Sequence, residues 1–243
     1  MPRRFLSAVW RNLVMLNYEI EPDILRPLVP QGVELDSWNG KYFVSLVGFQ
    51  FLDTRVLGMP IPFHRNFEEV NLRYYVRRRV EKGWRRGVAF VKEVVPRWAI
   101  AAVARWLYNE NYVACAMSSA VQFPDGNNGM EGSVIYRWGE TDNWNAIHAR
   151  FQGEPCPASP GSEEEFITEH YYGYVAQRDG STVEYKVEHP RWRVWKATKA
   201  RLECAVASFY GKQYQEALSR PISSAFVADG SEVSVYQGER ITP

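Results

Sequence analysis

The sequence has little of what marks a membrane-spanning or nucleic-acid-binding protein. No uninterrupted apolar run approaches the roughly 18 residues that a membrane-spanning helix requires. The 29 Lys and Arg residues are balanced by 28 Asp and Glu residues, which gives a net charge of +1. Binding through neutralised phosphates needs a basic excess, so we expect neither a nucleic acid nor a membrane among its partners.

Cysteines and familiar catalytic motifs are also scarce. The three cysteines, Cys115, Cys156 and Cys204, lie far apart and form no Cys-x-x-Cys pair, so no disulfide framework or zinc site is expected. Asn-x-Ser/Thr is absent and Arg11 interrupts the first apolar stretch, so we interpret the chain as mature and cytoplasmic. Gly-x-Ser-x-Gly, His-Glu-x-x-His, Gly-x-Gly-x-x-Gly and phosphate-loop motifs are missing too, and we predict no cofactor and no metal.

Aromatic residues are abundant instead, with nine Trp, fourteen Tyr and twelve Phe. Such residues are enriched in strands, and a period-two alternation of apolar and polar residues predicts strands along most of the chain. These strands cover residues 41–52, 70–80, 87–95, 114–123, 132–138, 146–151, 171–177, 182–188, 224–227 and 232–236. The last two are expected to form a hairpin around Asp229 and Gly230.

Helix signals are few. Residues 22–28 predict a short turn, Pro96 can begin a helix that continues to Tyr108, and Ser162 with Glu165 fits a capping box. A further helix is predicted over residues 198–210, with Gly211 as its cap. Because strands and helices do not alternate regularly, we predict a mainly β (α+β) fold with mainly antiparallel strands. We expect one domain over residues 1–243.

The stretch from His64 to Pro96 is the most informative for function. Its two strands predict a hairpin in which a row of polar side chains, Glu69, Asn71, Arg73 and Arg77, shares one face. If Val80 faces Gly87, then Lys92 lies opposite Tyr75, whereas a shift of one residue brings Glu93 there instead. The sequence leaves both registers open. In either one, an ionisable group from an apolar strand meets the polar row.

Lys92 shares a predicted face with Val88, Phe90 and Val94. Burial in such a wall lowers the pKa of a lysine and frees the neutral amine, which can attack a carbonyl to form a Schiff base. The alternative is a lysine that pairs with a carboxylate such as Glu69 or extends to solvent. The sequence leaves this choice open as well.

Two further groups of residues have both a functional and a structural interpretation. His64 lies in a proline-stiffened loop, where it acts as an acid or base at a cavity mouth or only hydrogen-bonds its own loop. The arginines and lysines of residues 77–86 predict a basic hairpin tip, which we interpret as solvated or as a contact between subunits. We therefore expect a homo-oligomer.

Five segments resemble a known family, the YqjF-like uncharacterised conserved proteins of the acetoacetate decarboxylase-like superfamily. They are residues 38–49 (WNGKYFVSLVGF), 62–73 (PFHRNFEEVNLR), 86–97 (RGVAFVKEVVPR), 166–174 (FITEHYYGY) and 187–192 (VEHPRW). The resemblance implies the fold of that superfamily, an acetoacetate decarboxylase-like, cone-shaped antiparallel β-barrel wrapped by a larger antiparallel sheet.

The resemblance also implies a role for one lysine. Decarboxylases of the superfamily use a Schiff-base lysine in a Gly-x-Pro-Lys-Lys setting, with an arginine and glutamates nearby. Lys92 lies in a comparable strand, but Val91 replaces the proline and Glu93 replaces the second lysine. A neighbouring carboxylate raises the pKa of a lysine, which opposes its activation. Lys92 and Glu69 are the residues that the resemblance carries over.

Two functions follow from this reading. The first is a central cavity that binds a small hydrophobic or anionic molecule, with Asn71, Arg73, Tyr75, His64 and Glu93 as ligand-binding residues. The alternative is a Schiff-base lyase, of decarboxylase, aldolase or dehydratase type, acting on a small oxo acid or aldehyde. In the alternative Lys92 is the nucleophile, Glu69 transfers protons and Arg73 binds the carboxylate of the substrate.

Overall fold

The computed structural model describes residues 3–60, 65–96, 112–124, 131–140 and 143–241. Their strands are β1 (Arg4–Glu19), β2 (Glu34–Leu35), β3 (Phe43–Val56), β4 (Met59–Pro60), β5 (Phe67–Val80), β6 (Gly83–Val95), β7 (Tyr112–Ala114), β8 (Ala116–Gln122), β9 (Glu131–Glu140), β10 (Asn143–Gln152), β11 (Cys156–Pro157), β12 (Tyr172–Ala176), β13 (Thr182–Glu188), β14 (Arg193–Glu203), β15 (Ser224–Tyr236) and β16 (Glu239–Ile241). The described helices are α1 (Pro22–Leu25), α2 (Glu163–Thr168), α3 (Val206–Phe209) and α4 (Gln215–Ser219), with 3-10 turns at Arg26–Leu28 and Lys212–Tyr214. The mainly β class with few short helices is confirmed.

The strands form one large mixed sheet. Its hydrogen-bonded order is β16-β13-β12-β6-β5-β3-β1-β15-β14-β10-β9-β8, and β13 also pairs with β15. Because of that extra pairing, the strands from β13 through β6 and β1 to β15 form a closed circuit of neighbours. Nearly all pairs are antiparallel, but β6 pairs in parallel with both β7 and β12.

Strand alternation divides the apolar side chains between two cores. In β5, Val70, Leu72, Tyr74 and Val76 belong to one core, while Phe67 and Tyr75 belong to the other. We call the second one the inner core. The side chains of Glu69, Asn71 and Arg73 share its face of β5, as the alternation predicts.

The β8–β10 layer packs against the opposite face of β1 and β3. Tyr136 in β9 donates a hydrogen bond from its hydroxyl to the carbonyl of Asn12 at 2.9 Å. A Cβ added at Gly48 in β3 would lie 2.7 Å from the Tyr136 ring, so only glycine allows this close approach. The layer therefore leaves the polar row of β5 on the other side, facing the inner core.

Two predicted elements are wrong, and both corrections lengthen strands. Residues 193–203 continue as β14, so the helix predicted from residue 198 reduces to the single turn α3. Residues 224–236 are one strand that pairs with β1, not a hairpin. Gly230 has a φ of +96° and opposes Arg11, and a Cβ there would lie 2.1 Å from the carbonyl oxygen of Trp10. A glycine is required at this position because β1 and β15 approach each other closely, and not because the chain turns there.

The remaining helix predictions have different outcomes. The turn at residues 22–28 is present as α1 and a 3-10 turn. Ser162 caps α2, because its hydroxyl accepts a hydrogen bond from the Glu165 amide at 3.2 Å. The helix predicted from Pro96 to Tyr108 lies outside the described residues beyond Pro96.

Candidate functional site

The hairpin of β5 and β6 has neither of the registers considered from the sequence. Val80 pairs with Gly83 rather than Gly87, because the connecting turn contains only residues 81 and 82. Val88 consequently lies opposite Tyr75, where Lys92 or Glu93 was expected. Because the turn is shorter than predicted, each residue of β5 pairs with an earlier residue of β6 than the sequence analysis expected.

A β-bulge in β6 then determines which charged side chain faces inward. Leu72 pairs with Lys92, whereas the next residue, Arg73, pairs with Phe90, so Val91 is the extra residue. An extra residue reverses the alternation of all side chains that follow it.

The bulge places Glu93, not Lys92, in the inner core. Val88 and Phe90 before the bulge and Glu93 after it line the same inner pocket. Lys92 and Val94 lie on the opposite face. The expectation that Lys92 shares a face with Val88 was wrong for this reason, and Glu93 opposes Asn71.

The inner pocket has a volume of about 90 Å³. Besides tyrosines and tryptophans, seven polar or ionisable side chains contribute to its wall: Glu69, Asn71, Arg73, Glu93, Thr168, His170 and His189. The rest of the wall is mainly apolar and aromatic, and includes Leu6, Trp10, Leu13, Val47, Phe49, Phe51, Val88, Phe90, Tyr172, Tyr185, Val187, Trp192 and Val235. A concave apolar site with a few convergent polar groups is typical of small-molecule sites.

Neighbouring side chains fix the orientation of the polar groups. Asn71 donates from Nδ2 to Oε1 of Glu69 at 2.9 Å, and the Tyr112 hydroxyl donates to Oε1 of Glu93 at 2.9 Å. Arg73 donates from Nη2 to the carbonyl of Ile167 at 3.0 Å. Among the described residues, Oδ1 of Asn71, Nε of Arg73, Nε1 of Trp10 and the ring nitrogens of His170 are buried in this wall without a hydrogen bond of ordinary geometry. The wall therefore holds both donors and acceptors that no described protein group satisfies, Nε of Arg73 and Oδ1 of Asn71 among them.

His170 is held in this wall by the short helix α2. Phe166 and Ile167 of α2 are buried, and the helix ends two residues before His170. The imidazole ring is 7% exposed and lies 4.8 Å from the Tyr75 ring centroid. Neither ring nitrogen makes a hydrogen bond of ordinary geometry. Burial, together with the charges of Arg86 and Arg73, lowers the pKa of His170 well below its usual range, so the ring is neutral near pH 7.

The Tyr75 ring packs against His170, and hydrogen bonds hold the Tyr75 hydroxyl in place. Its hydroxyl and the Ser45 hydroxyl lie 2.6 Å apart, and Ser45 donates to Oδ1 of Asn17 at 2.6 Å. Asn17 in turn donates to the Ser224 hydroxyl at 2.9 Å. This chain of hydrogen bonds connects four strands, β5, β3, β1 and β15, behind the pocket.

Lys92 lines a second cavity of about 360 Å³ on the other face of β6. Its ammonium donates a hydrogen bond to the carbonyl of Phe209 and lies 4.7 Å from the centroid of that ring. Burial lowers the pKa of Lys92, as the sequence predicts for a lysine in an apolar wall. Glu69 and Arg73 line the other cavity, so the predicted catalytic pair, Lys92 and Glu69, is divided by the sheet.

The matching family model covers residues 7–232 of the chain and describes an uncharacterized conserved protein, DUF2071. The chain belongs to the DUF2071 family. Among curated proteins, this DUF2071 member is 28% identical over 204 residues to uncharacterized protein YqjF of Bacillus subtilis strain 168, across 83% of this chain and 78% of that protein. The resemblance to YqjF-like proteins is thus confirmed.

Solved structures with acetoacetate decarboxylase-like folds superpose on nearly the whole chain. The enduracididine biosynthesis enzyme MppR, complexed with pyruvate, has a TM-score of 0.69 and 12% identity, covering 100% of this chain and 91% of that one. Acetoacetate decarboxylase from Legionella pneumophila has a TM-score of 0.63 and 15% identity, with 99% and 88% covered. An acetoacetate decarboxylase-like enzyme from Sphingomonas wittichii RW1 has a TM-score of 0.67 and 12% identity, with 97% and 92% covered. At these identities the likeness shows the fold alone.

Four of the predicted site residues come together in the inner pocket: Glu69, Asn71, Arg73 and Glu93. Tyr75 lies directly behind it, Lys92 lies in the second cavity, and His64 lies outside the described residues. Sequence reasoning gave no role to His170 or Tyr112. The capping box was the available signal for His170, because it places a buried helical turn immediately before this histidine.

The described ranges contain neither a metal-ligand cluster nor a membrane-spanning helix. No group of three His, Cys, Asp or Glu side chains there is arranged to hold a metal ion. None of the helices in those ranges is long and apolar enough to cross a bilayer.

Proposed function

We propose that the protein binds a small organic acid in the inner pocket. The observation that carries the proposal is that Nε of Arg73 and Oδ1 of Asn71 lie buried on neighbouring positions of the polar row and make no hydrogen bond with the described residues. A ligand that satisfies both must bring an acceptor, such as a carboxylate or carbonyl oxygen, and a donor, such as a hydroxyl. A short hydroxy acid carries both groups, and so does a short oxo acid in its enol form.

The size of the pocket limits the ligand further. The volume of about 90 Å³ is smaller than the cavity of about 150 Å³ that accommodates benzene in a known case. The ligand class is therefore smaller than one aromatic ring. MppR, which has a similar fold, is complexed with pyruvate, and this supports a small oxo acid as the class.

Each polar side chain has a role in the proposal. Arg73 binds the carboxylate through its charge and its Nε–H, and Asn71 accepts from the ligand hydroxyl. Glu69 is the proton-transfer group, because its carboxyl is already oriented by Asn71. Glu93 contributes to the wall of the site, and Tyr75 supports that wall from behind through its contact with His170. His64 remains a predicted residue of the cavity mouth.

The test measures the binding of pyruvate by ligand-observed NMR. Pyruvamide serves as the uncharged analogue. We expect pyruvate to bind more tightly than pyruvamide and Arg73→Met to weaken pyruvate binding at least tenfold, because a charge-assisted hydrogen bond contributes about 1.5–3 kcal/mol. Arg79→Met is the matched control, since Arg79 lies on the same strand with an exposed side chain. Arg73→Lys keeps the positive charge, so it should weaken pyruvate binding less than Arg73→Met does.

Equal binding of pyruvate by the wild type and a folded Arg73→Met variant would contradict this proposal. A circular dichroism spectrum of each variant establishes that it is folded. Loss of binding in Arg79→Met as well would also count against it, because that side chain is remote from the pocket.

A Schiff-base reaction at Lys92 is the second candidate, and the lowered pKa of this lysine favours it. Glu69 and Arg73 line a different cavity from Lys92, so they give this reaction no support. Borohydride reduction in the presence of pyruvate, followed by peptide mass analysis, tests it. An adduct on Lys92 would establish the reaction, and an unmodified Lys92 would remove it.

A further inference from the structure

The second cavity has walls of aromatic rings. Tyr74, Tyr174, Tyr210 and Tyr214 line it. The hydroxyl of Tyr74 donates to the carbonyl of Leu28 at 2.6 Å, and that of Tyr174 donates to the carbonyl of Arg85 at 3.2 Å. Because these two hydroxyls are already bonded to backbone, their side chains present ring surface to the cavity. The polar groups of the described lining also include the Gln213 amide and the buried Tyr210 hydroxyl, which makes no hydrogen bond there.

One charged side chain lines this cavity, among the described residues, and it is Lys92. The described lining contains no carboxylate. The ionisable groups that act on the Lys92 charge are the thiols of Cys115 and Cys204, and burial raises the pKa of Cys204 to about 12, which keeps that thiol neutral. The tyrosines are neutral as well, since burial raises the pKa of Tyr74, Tyr174 and Tyr210.

Among the residues that the structure describes, no counter-ion faces the ammonium of Lys92 in this cavity. The carbonyl of Phe209 accepts one of its three protons, and the rings of Phe209 and Tyr210 lie 4.7 and 5.7 Å from the nitrogen. Aromatic rings stabilise a cation only weakly compared with an anion in contact. A partly desolvated cation among rings thus favours a ligand with one negative charge and an apolar body.

We infer that the second cavity binds a small aromatic carboxylate, with its carboxylate on the ammonium of Lys92 and its rings against the tyrosine walls. The site is independent of the inner pocket, and the inference goes beyond the proposed function. The volume of about 360 Å³ lies in the range of small-molecule sites and exceeds twice the roughly 150 Å³ cavity that binds benzene. It accommodates one or two fused rings. A single lysine without further cationic groups matches a monoanion better than a phosphate.

The experiment is isothermal titration of the full chain with 2-naphthoate and with 2-naphthamide, which has the same rings and no charge. We expect naphthoate to bind at least tenfold more tightly than naphthamide. Lys92→Met should reduce naphthoate binding at least tenfold and leave naphthamide binding nearly unchanged. Lys92→Arg should retain most of the affinity, because it keeps the positive charge.

Two control variants make the result specific. Lys199→Met removes an exposed lysine of β14 that lines neither cavity and should bind naphthoate like the wild type. Arg73→Met alters the inner pocket and should also bind naphthoate normally. The proposal for the inner pocket and the inference for the second cavity are therefore tested separately. Equal affinity for naphthoate and naphthamide, or undiminished naphthoate binding by a folded Lys92→Met variant, would overturn the inference.

Discussion

Glu69, Asn71 and Glu93 are 5%, 3% and 3% exposed. Burying such groups costs free energy unless each finds a partner, and a purely structural strand would carry apolar residues at these positions. Glu69 and Glu93 receive hydrogen bonds from Asn71 and Tyr112, whereas Oδ1 of Asn71 receives none. The free-energy cost of burying a polar group without a partner therefore remains at Asn71, where the proposed ligand binds.

His170 makes the stability of the protein depend on pH. The unfolded chain takes up a proton on this histidine near its ordinary pKa of 6.5, while the folded protein does not because burial lowers the pKa well below that value. The free energy of unfolding should consequently fall as the pH drops below about 6.5, by at most about 1.4 kcal/mol per pH unit from this residue. Below the pKa of the folded state this dependence should end.

The measurement is urea unfolding of the wild type and His170→Phe between pH 7 and pH 5. Phenylalanine fills a similar volume and has no nitrogen to leave unbonded, so the variant should be about as stable as the wild type at pH 7. It should lose clearly less stability at pH 5. Parallel pH profiles for the two proteins would exclude this role of His170.

At the level of elements, one inserted residue sets the chemistry of both cavities. Without the bulge at Val91, Lys92 would continue the face of Val88 and Phe90, and Glu93 would lie outside. The pattern of β6 contains no signal for this bulge, because apolar residues stand on both sides of it. The strands themselves were predictable, and the direction of their charged residues was not.

Gly230 provides a test of the pairing between β1 and β15. Gly230→Ala should destabilise the protein by more than Gly180→Ala, because both residues have a positive φ but only at Gly230 would a Cβ meet backbone, at 2.1 Å from the Trp10 oxygen. The Gly180 change should cost about 1 kcal/mol through φ strain alone. Urea unfolding at pH 7 measures both. Equal losses would mean that β15 shifts freely against β1.

At the scale of the whole molecule, the circuit of strands connects both ends of the chain. β1 pairs with β15, and β15 pairs with β13 and β14. We propose that residues 1–243 form one domain, as the sequence predicts, and that it assembles into a homo-oligomer. Trp84, which is 41% exposed and lies 4.3 Å from the Arg77 guanidinium, provides surface for such a contact.

This proposal predicts a single unfolding transition. Tryptophan fluorescence and far-UV circular dichroism should give coincident curves in urea, because the circuit of strands and the β8–β10 layer share one apolar core. The midpoint should rise with protein concentration if subunits associate. Separate transitions would contradict the single domain, and light scattering at the mass of one chain would contradict the oligomer.

The sequence alone determined the strand-rich class and the residues of the polar row, because alternation and aromatic content are local properties that any strand carries with it. The family followed from the resemblance of five segments to known relatives. The sequence could not determine the length of the turn after Val80 or the bulge at Val91, which depend on how distant strands pair. Nor could it bring His170 beside Tyr75, since these residues are almost a hundred positions apart in the chain. Only tertiary packing decided which charges face which cavity, because a shift of one residue reverses every side chain of a strand while leaving its composition unchanged.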